Sequence, residues 1–457
     1  MNAQDLVETG VTLLAGQRGA VLVEAATTAN LRWANSSLTT NGVATTRRVH
    51  VVVHPELAGG SATGTASGMV HDRADLESLL ARARAAAQDA GPAQDRAPEV
   101  PARPASPDWD AAPGSTGPDA LAPVTALLSQ ALPDRRAELF GYAEHDVTTT
   151  YLGTSAGLRL RHEQPSARFE LCGKSHGRTR SAWAGRSGRH LADLDLVSTP
   201  DEVRRGLQAQ ARQVQVAATP QMVVLSPSAA ADMLVYLWWS AGLRDAVEGR
   251  SAFSGPGGTT RLGERVSPVP FWMRSDPDAP GLQCADHALA TESSPVTSAF
   301  DLGLPVPAAD WLSEGRITGL MSTRHSAGAA GLAPTPTADN LLAGVAGATG
   351  GLDELAQRVG DGLVVTCLWY IREVEAQTLL LTGLTRDGVY VVRGGEVIGA
   401  CGNFRFNESP LGMLARIRDA GAPVDCLPRE WADWVTRARV APLAVDGFGL
   451  STASEAV

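Results

Sequence analysis

The stretch from Ser226 to Gly242 restricts the fold more than any other part of the chain. Ser226 can cap a helix whose first position is Pro227, where the missing N–H is harmless because a first-turn N–H has no partner inside the helix. Apolar residues then run through Tyr236, Leu237, Trp238 and Trp239 to a stop near Gly242. A helix that is apolar all round has no face to turn toward water, so other elements must enclose it. The sequence supplies strands for that purpose at 222–225, 363–370, 379–381, 389–392 and 397–400, with Asp387-Gly388 and Gly394-Gly395 read as hairpin turns. Ser409-Pro410 predicts a second helix, through Met413, Leu414 and Ile417 to Gly421. Ser226, Pro227, Ser228 and Asp232 interrupt the most apolar stretch, 222–243, which falls short of the about 18 unbroken apolar residues a membrane helix needs. No membrane partner is expected.

The N-terminal half has a different rhythm. Helical spacing at 5–15 and 73–90 brackets strand-like runs at 20–24, 29–34 and 43–54 and a Gly/Ser/Thr-rich tract at 59–70. From 91 to 123 the chain carries eight prolines, which can propagate neither a helix nor an interior strand. That segment is expected to be irregular and to lie against the body, since Trp109 is a poor residue to leave in water. A short helix at 123–132, a strand meander at 137–183 and a helix at 201–213 follow. The predicted class is α+β. An N-terminal α+β domain with a small antiparallel or mixed sheet, 1–216 with the Pro-rich excursion 91–123, precedes a strand-rich C-terminal domain, 217–457.

Charge argues against nucleic acid as a partner. Lys and Arg number 39 against 49 Asp and Glu, a net charge of −10, and Lys174 is the single lysine. A chain with this balance lacks the basic surface that phosphate binding requires. Five widely spaced cysteines do not form a secreted disulfide framework, and Asp5 and Glu8 stand where an export signal carries positive charge. The expected location is cytoplasmic.

Three local motifs invite a catalytic reading. Gly153-Thr154-Ser155-Ala156-Gly157 matches the G-x-S-x-G elbow of serine hydrolases, but strand-like sequence on both sides favours a hairpin turn. Gly173-Lys174-Ser175 has Arg168 where a phosphate-binding loop needs glycine. The nine histidines provide no zinc-type pair: His50 and His54 flank a Val-Val-Val strand, and Cys284 with His287 or Cys172 with His176 stands without a second pair.

Read in order, several segments carry a resemblance. They are Arg178 to Arg186, Ser226-Pro227-Ser228 with the helix after it, Glu248-Gly249-Arg250, Pro334 to Leu341, Leu380 to Tyr390, and Asn403-Phe404-Arg405-Phe406-Asn407-Glu408-Ser409-Pro410. Their succession resembles the TldD/PmbA family of gyrase modulators and metallopeptidase-like proteins, in particular its PmbA (TldE) branch of actinobacterial kind. The order of the segments, rather than any one of them, carries the likeness.

The resemblance implies a strand-rich TldD/PmbA-type C-terminal domain and a divided activity. In the TldD branch the helix corresponding to 226–250 bears a His-Glu-x-x-x-His motif that binds zinc. Here 233–250 contains neither histidine nor cysteine, and Asp245 and Glu248, three apart, suit a salt-bridged helix end. No catalytic residue and no metal ligand is therefore expected on this chain, and zinc is expected on a TldD-like partner subunit. The pair would form a heteromeric metallopeptidase or amide hydrolase enclosing a chamber for unfolded peptides or small N-acyl amides, as in natural-product biosynthesis. Arg324, His325, Trp369, Tyr370, Arg405 and Asn407 are the chamber-facing candidates, being polar or aromatic groups in turn or strand contexts, although Trp369 and Tyr370 also suit a core and Arg405 could pair with Glu408. The alternatives are a self-assembling scaffold without hydrolysis and a self-sufficient hydrolase using Ser155.

Overall fold

The computed structural model describes residues 1–454. Its first sheet is antiparallel and six-stranded, in the order Gly64–Gly68, Ser37–Val53, Gly19–Ala34, Glu138–Thr154, Arg159–Ser175 and Arg180–Gly188. Helices cover one face. At one end Leu6, Val7, Leu76 and Leu80 of the helices Ala3–Leu13 and Arg73–Ala90 pack on Val21, Val23, Val51 and Tyr151. At the other end Val124 and Leu128 of Ala122–Ala131 and Val203 and Leu207 of Thr199–Ala209 pack on Leu31, Trp33 and Phe169. The Pro-rich excursion is irregular and lies on this body, with Trp109 set edge-on to Tyr151 at 5.8 Å.

Two further sheets hold the helix that the sequence requires to be enclosed. One has eight strands: Ile417–Ala420, Leu443–Phe448, Gln221–Leu225, Gly362–Glu375, Leu380–Arg393, Asn403–Glu408 and Leu450–Ser454 in order, with Glu396–Cys401 paired to Leu380–Arg393. The other has six: Arg316–Ile317, Ala309–Ser313, Phe271–Ser275, Leu341–Val345, Ala438–Val440 and Val424–Cys426. The helix Pro227–Trp239 shares one apolar core with both, and ten of its thirteen residues are buried. Ser226 caps it as expected, its Oγ accepting from the Ala229 N–H. Leu234, fully buried among these sheets, would cost about 2–5 kcal/mol if cut to alanine. The first sheet's uncovered face meets this half at Ala20, Leu22, Leu152 and Leu160, which pack on Ala299 and Leu302.

Two local expectations are corrected. Leu380–Arg393 is one continuous strand rather than two strands joined at Asp387-Gly388. Asp387 (φ 52°) and Gly388 (φ 132°) instead form a bulge, because the partner strand advances only from Val365 to Cys367 while this one passes from Val389 to Arg386. The helix after Ser409 is shorter than predicted, Pro410–Leu414, and Ile417 begins a strand paired to Val445.

Candidate functional site

The helix Pro227–Trp239 lacks the residues that would make it a metal site. Its single acid, Asp232, is fully buried, and burial raises its carboxyl well above the ordinary range, which favours the neutral form. Asp232 organises protein instead: its Oδ1 accepts the Glu430 N–H at 3.0 Å and its carbonyl accepts Trp431 Nε1 at 2.8 Å. Ser228 Oγ donates to the Leu427 carbonyl at 2.6 Å, so the loop from Leu427 to Trp434 is laid along the helix. The second carboxyl oxygen of Asp232, Oδ2, is buried with no hydrogen-bond partner among the described residues.

Residues that could supply other ligands are also committed. Asp245 and Glu248 pair with Arg250 and Arg244, the salt-bridged helix end expected of them. All five cysteines are free, and burial pushes every thiol up, Cys172 and Cys401 to about 11 and Cys284 and Cys367 to about 12. A thiol so raised is a poor metal ligand at neutral pH. Among the described residues no three His, Cys, Asp or Glu side chains are grouped to hold an ion. The donor set therefore does not fit a zinc centre.

The loop from Leu427 to Trp434 builds a different kind of site. Glu430, nearly buried, accepts the N–H groups of Tyr370 and Ile371 at 2.9 and 3.1 Å and a guanidinium N–H of Arg372 at 3.1 Å. These bonds hold Tyr370 at φ 55°, a left-handed conformation unusual for an aromatic residue, at an irregularity between Trp369 and Arg372. The backbone turn leaves Tyr370 57% exposed. Beside it Trp431 touches Tyr236, Trp239 and Trp434 with ring centroids 5.6, 5.1 and 6.4 Å away. Trp239 is 39% and Trp434 66% exposed, and a cleft of about 540 Å³ opens between Tyr236, Trp239, Trp431 and the Ile371–Glu373 backbone.

Arg429, in the same loop, forms the seam with the first sheet. It donates to the Asp387 carboxylate and, at 2.8 Å, to Cys367 Sγ, and its guanidinium lies 5.0 Å from the Trp183 ring and 5.1 Å from the Trp369 ring. Ser181 also donates to Asp387. Burial by itself would raise the Asp387 carboxyl, but the Arg429 charge and these hydrogen bonds outweigh it and hold the group below its ordinary value. A second cleft, about 280 Å³, opens at this seam between Arg32, Tyr142, Glu170, Trp183 and Arg429.

The sequence-predicted residues are partly brought together. Trp369, Leu384, Arg405 and Thr452 stand opposite one another across four strands, and Arg372, Thr382 and Asn407 form a second row. Directly paired residues share a sheet face, so Trp369, Arg405 and Asn407 present to one side, with Arg405 and Asn407 exposed. Arg405 is not tied to Glu408, which binds Arg416 instead at 2.6 Å. Arg324 lies elsewhere, its guanidinium taken by Asp301 at 2.7 Å and by the Phe300 carbonyl, while His325 is exposed on the same short helix. Ser155 sits in a strand–turn–strand hairpin, bonded to Gly19 and Glu99, with no histidine among its partners in the described residues. Sequence reasoning missed Asp232, Asp387, Arg429, Glu430, Trp431 and Trp434. The cluster Arg429-Glu430-Trp431-Ala432-Asp433-Trp434 was the available signal, two aromatic rings among charges in a segment without helical or strand periodicity.

No curated protein matches the chain in sequence. Among solved structures, a candidate modulator of a DNA gyrase from Thermotoga maritima superposes with a TM-score of 0.77 at 14% identity, covering 98% of this chain and 100% of its own. A candidate modulator of DNA gyrase from Bacteroides thetaiotaomicron gives 0.74 at 14% identity, covering 98% of each chain. TldE from Thermococcus kodakarensis gives 0.76 at 13% identity, covering 98% of this chain and 99% of its own. At such identities the likeness establishes a shared mixed α+β fold and nothing of activity. In sequence, residues 219–451, more than half of the chain, match the family described as PmbA/TldA metallopeptidase C-terminal domain, with the enclosed helix and the loop along it inside the matched segment. The chain is a member of the PmbA/TldA (TldD/PmbA) family.

Proposed function

We propose that this chain is the TldE-type, zinc-motif-lacking subunit of a cytoplasmic heteromeric metallopeptidase or amide hydrolase. Its partner is a TldD-like subunit carrying the zinc, and the substrates are unfolded peptides or small N-acyl amides of a natural-product route. One observation carries the reading. The helix that bears His-Glu-x-x-x-His in the TldD branch is here packed on both sheets and pinned to the Leu427-to-Trp434 loop, with a single acid whose carboxyl burial raises and no ligand set. Trp239, Tyr370 and Trp434 stay exposed beside it, and exposed aromatic surface of this kind is what subunit contacts and peptide grooves use. In this reading Trp369, Tyr370, Arg405 and Asn407 face the substrate, His325 borders the chamber, and Arg324 positions the segment around Asp301.

Co-expression with a TldD-like protein encoded beside it tests the proposal. A stable complex should form whose hydrolytic activity a chelator removes, while the isolated chain carries no zinc. Stoichiometric zinc on the isolated chain, or chelator-insensitive hydrolysis by it, would sink the reading.

A further inference from the structure

The core under the outer helices of the first sheet is open to solvent. Between Ala122–Ala131 and Thr199–Ala209 a cavity of about 1160 Å³ reaches down to Leu139 and Leu207. Leu127 and Leu194 line it, packed on that core yet half-buried, and Val197 at its edge is 83% exposed. Ligand cavities commonly hold about 300–1,000 Å³, and contiguous open apolar surface framed by polar groups marks a binding site.

Charge at the rim selects the ligand. Two acids on the rim are already occupied, Asp134 by Arg136 and Asp201 by Arg204, each at 2.6 Å. The hairpin joining Arg159–Ser175 to Arg180–Gly188, where Ser175 and Arg180 are paired, brings His176 and Arg180 into the lining of the same cavity. No carboxylate among the described residues pairs with Arg180. A largely apolar cavity thus has an uncompensated cation in its lining.

We infer that this cavity binds an amphiphilic carboxylate, a linear alkyl chain lying over Leu127, Leu194 and Leu207 with its carboxylate on Arg180 beside His176. The cavity is on the helix-covered face of the first sheet, whereas the Arg429 seam is on the other, so the inference does not depend on the proposed hydrolytic partnership.

Titration of the purified full chain with dodecanoate and with dodecanol, followed by calorimetry, decides it. Dodecanoate should bind saturably at one per chain and dodecanol about tenfold or more weaker, the difference a charged hydrogen bond supplies. R180A should weaken dodecanoate by about the same factor and leave dodecanol unchanged. L194W should block both ligands, and L127W serves where that variant fails to fold. Absence of saturable dodecanoate binding, equal binding of the alcohol, or dodecanoate binding indifferent to R180A would each overturn the assignment.

Discussion

Arg429 and Asp387 form a buried ion pair whose cation is held between two tryptophans, Trp183 of the first sheet and Trp369 of the second. Ser181, also from the first sheet, donates to the same carboxylate. Removing Arg429 leaves the almost fully buried Asp387 carboxylate without its cation. Arg429→Met should therefore lower stability by about 3–5 kcal/mol, while Arg429→Met with Asp387→Leu should recover most of the loss. Urea midpoints of the single and double variants measure this, and equal midpoints for wild type and Arg429→Met would refute it.

His54 adds an acid-sensitive element at another contact between the two halves. Its ring stacks on Phe300 at 4.2 Å and its Nδ1 is bonded to Thr63 Oγ1 at 2.7 Å. Burial, with the Arg18 charge nearby, lowers its pKa to about 4. Below about 6.5 the unfolded chain takes up a proton that the folded chain refuses, so stability is full above that pH and is lost as pH falls toward 4, by about 3 kcal/mol in all. His54→Gln should flatten this part of the profile. Urea midpoints at pH 7 and 4.5 provide the comparison, and parallel losses in both proteins would rule the mechanism out.

Asp232 works in the opposite sense. Its raised pKa means that the folded chain keeps a proton the unfolded chain has released, so stability from this group is greatest in acid and declines as pH climbs above the unfolded value near 3.9. Asp232→Asn keeps an oxygen for the Glu430 N–H and has no proton to lose. It should gain on wild type by about 1.4 kcal/mol per pH unit until Asp232 ionises. Denaturation at pH 5, 6 and 7 tests the trend, and a constant difference would mean that Asp232 is charged in the fold.

Trp434 separates assembly from stability. At 66% exposure it contributes little to the core, so Trp434→Ser should change stability by no more than about 0.5 kcal/mol. If the aromatic patch meets the TldD-like subunit, the same change should weaken association by about thirtyfold, the effect of losing an interface anchor of about 2 kcal/mol. Sedimentation of the mixed subunits reads both species, and unchanged association would place the partner elsewhere.

Trp369, Arg405 and Asn407 were readable as candidates because aromatic and charged residues in strands are conspicuous, and register sets them in adjoining rows of one face. Arg324 was conspicuous for the same reason, yet its charge is spent on Asp301, 23 residues away, a pairing that no local pattern encodes. The groups that shape the site were harder to see. Glu430 acts on Tyr370 across 60 residues and Arg429 on Asp387 across 42.

The enclosed helix, its Ser226 cap, the helix at 73–90, the strand meander and the lack of zinc ligands at 233–250 are legible residue by residue, because capping, periodicity and composition act within a few residues. That Asp387-Gly388 is a bulge rather than a turn depends on contacts between distant segments. Two positive-φ residues serve either purpose, and only the pairing of the neighbouring strand, with Arg429 reaching the buried Asp387 carboxylate, selects between them.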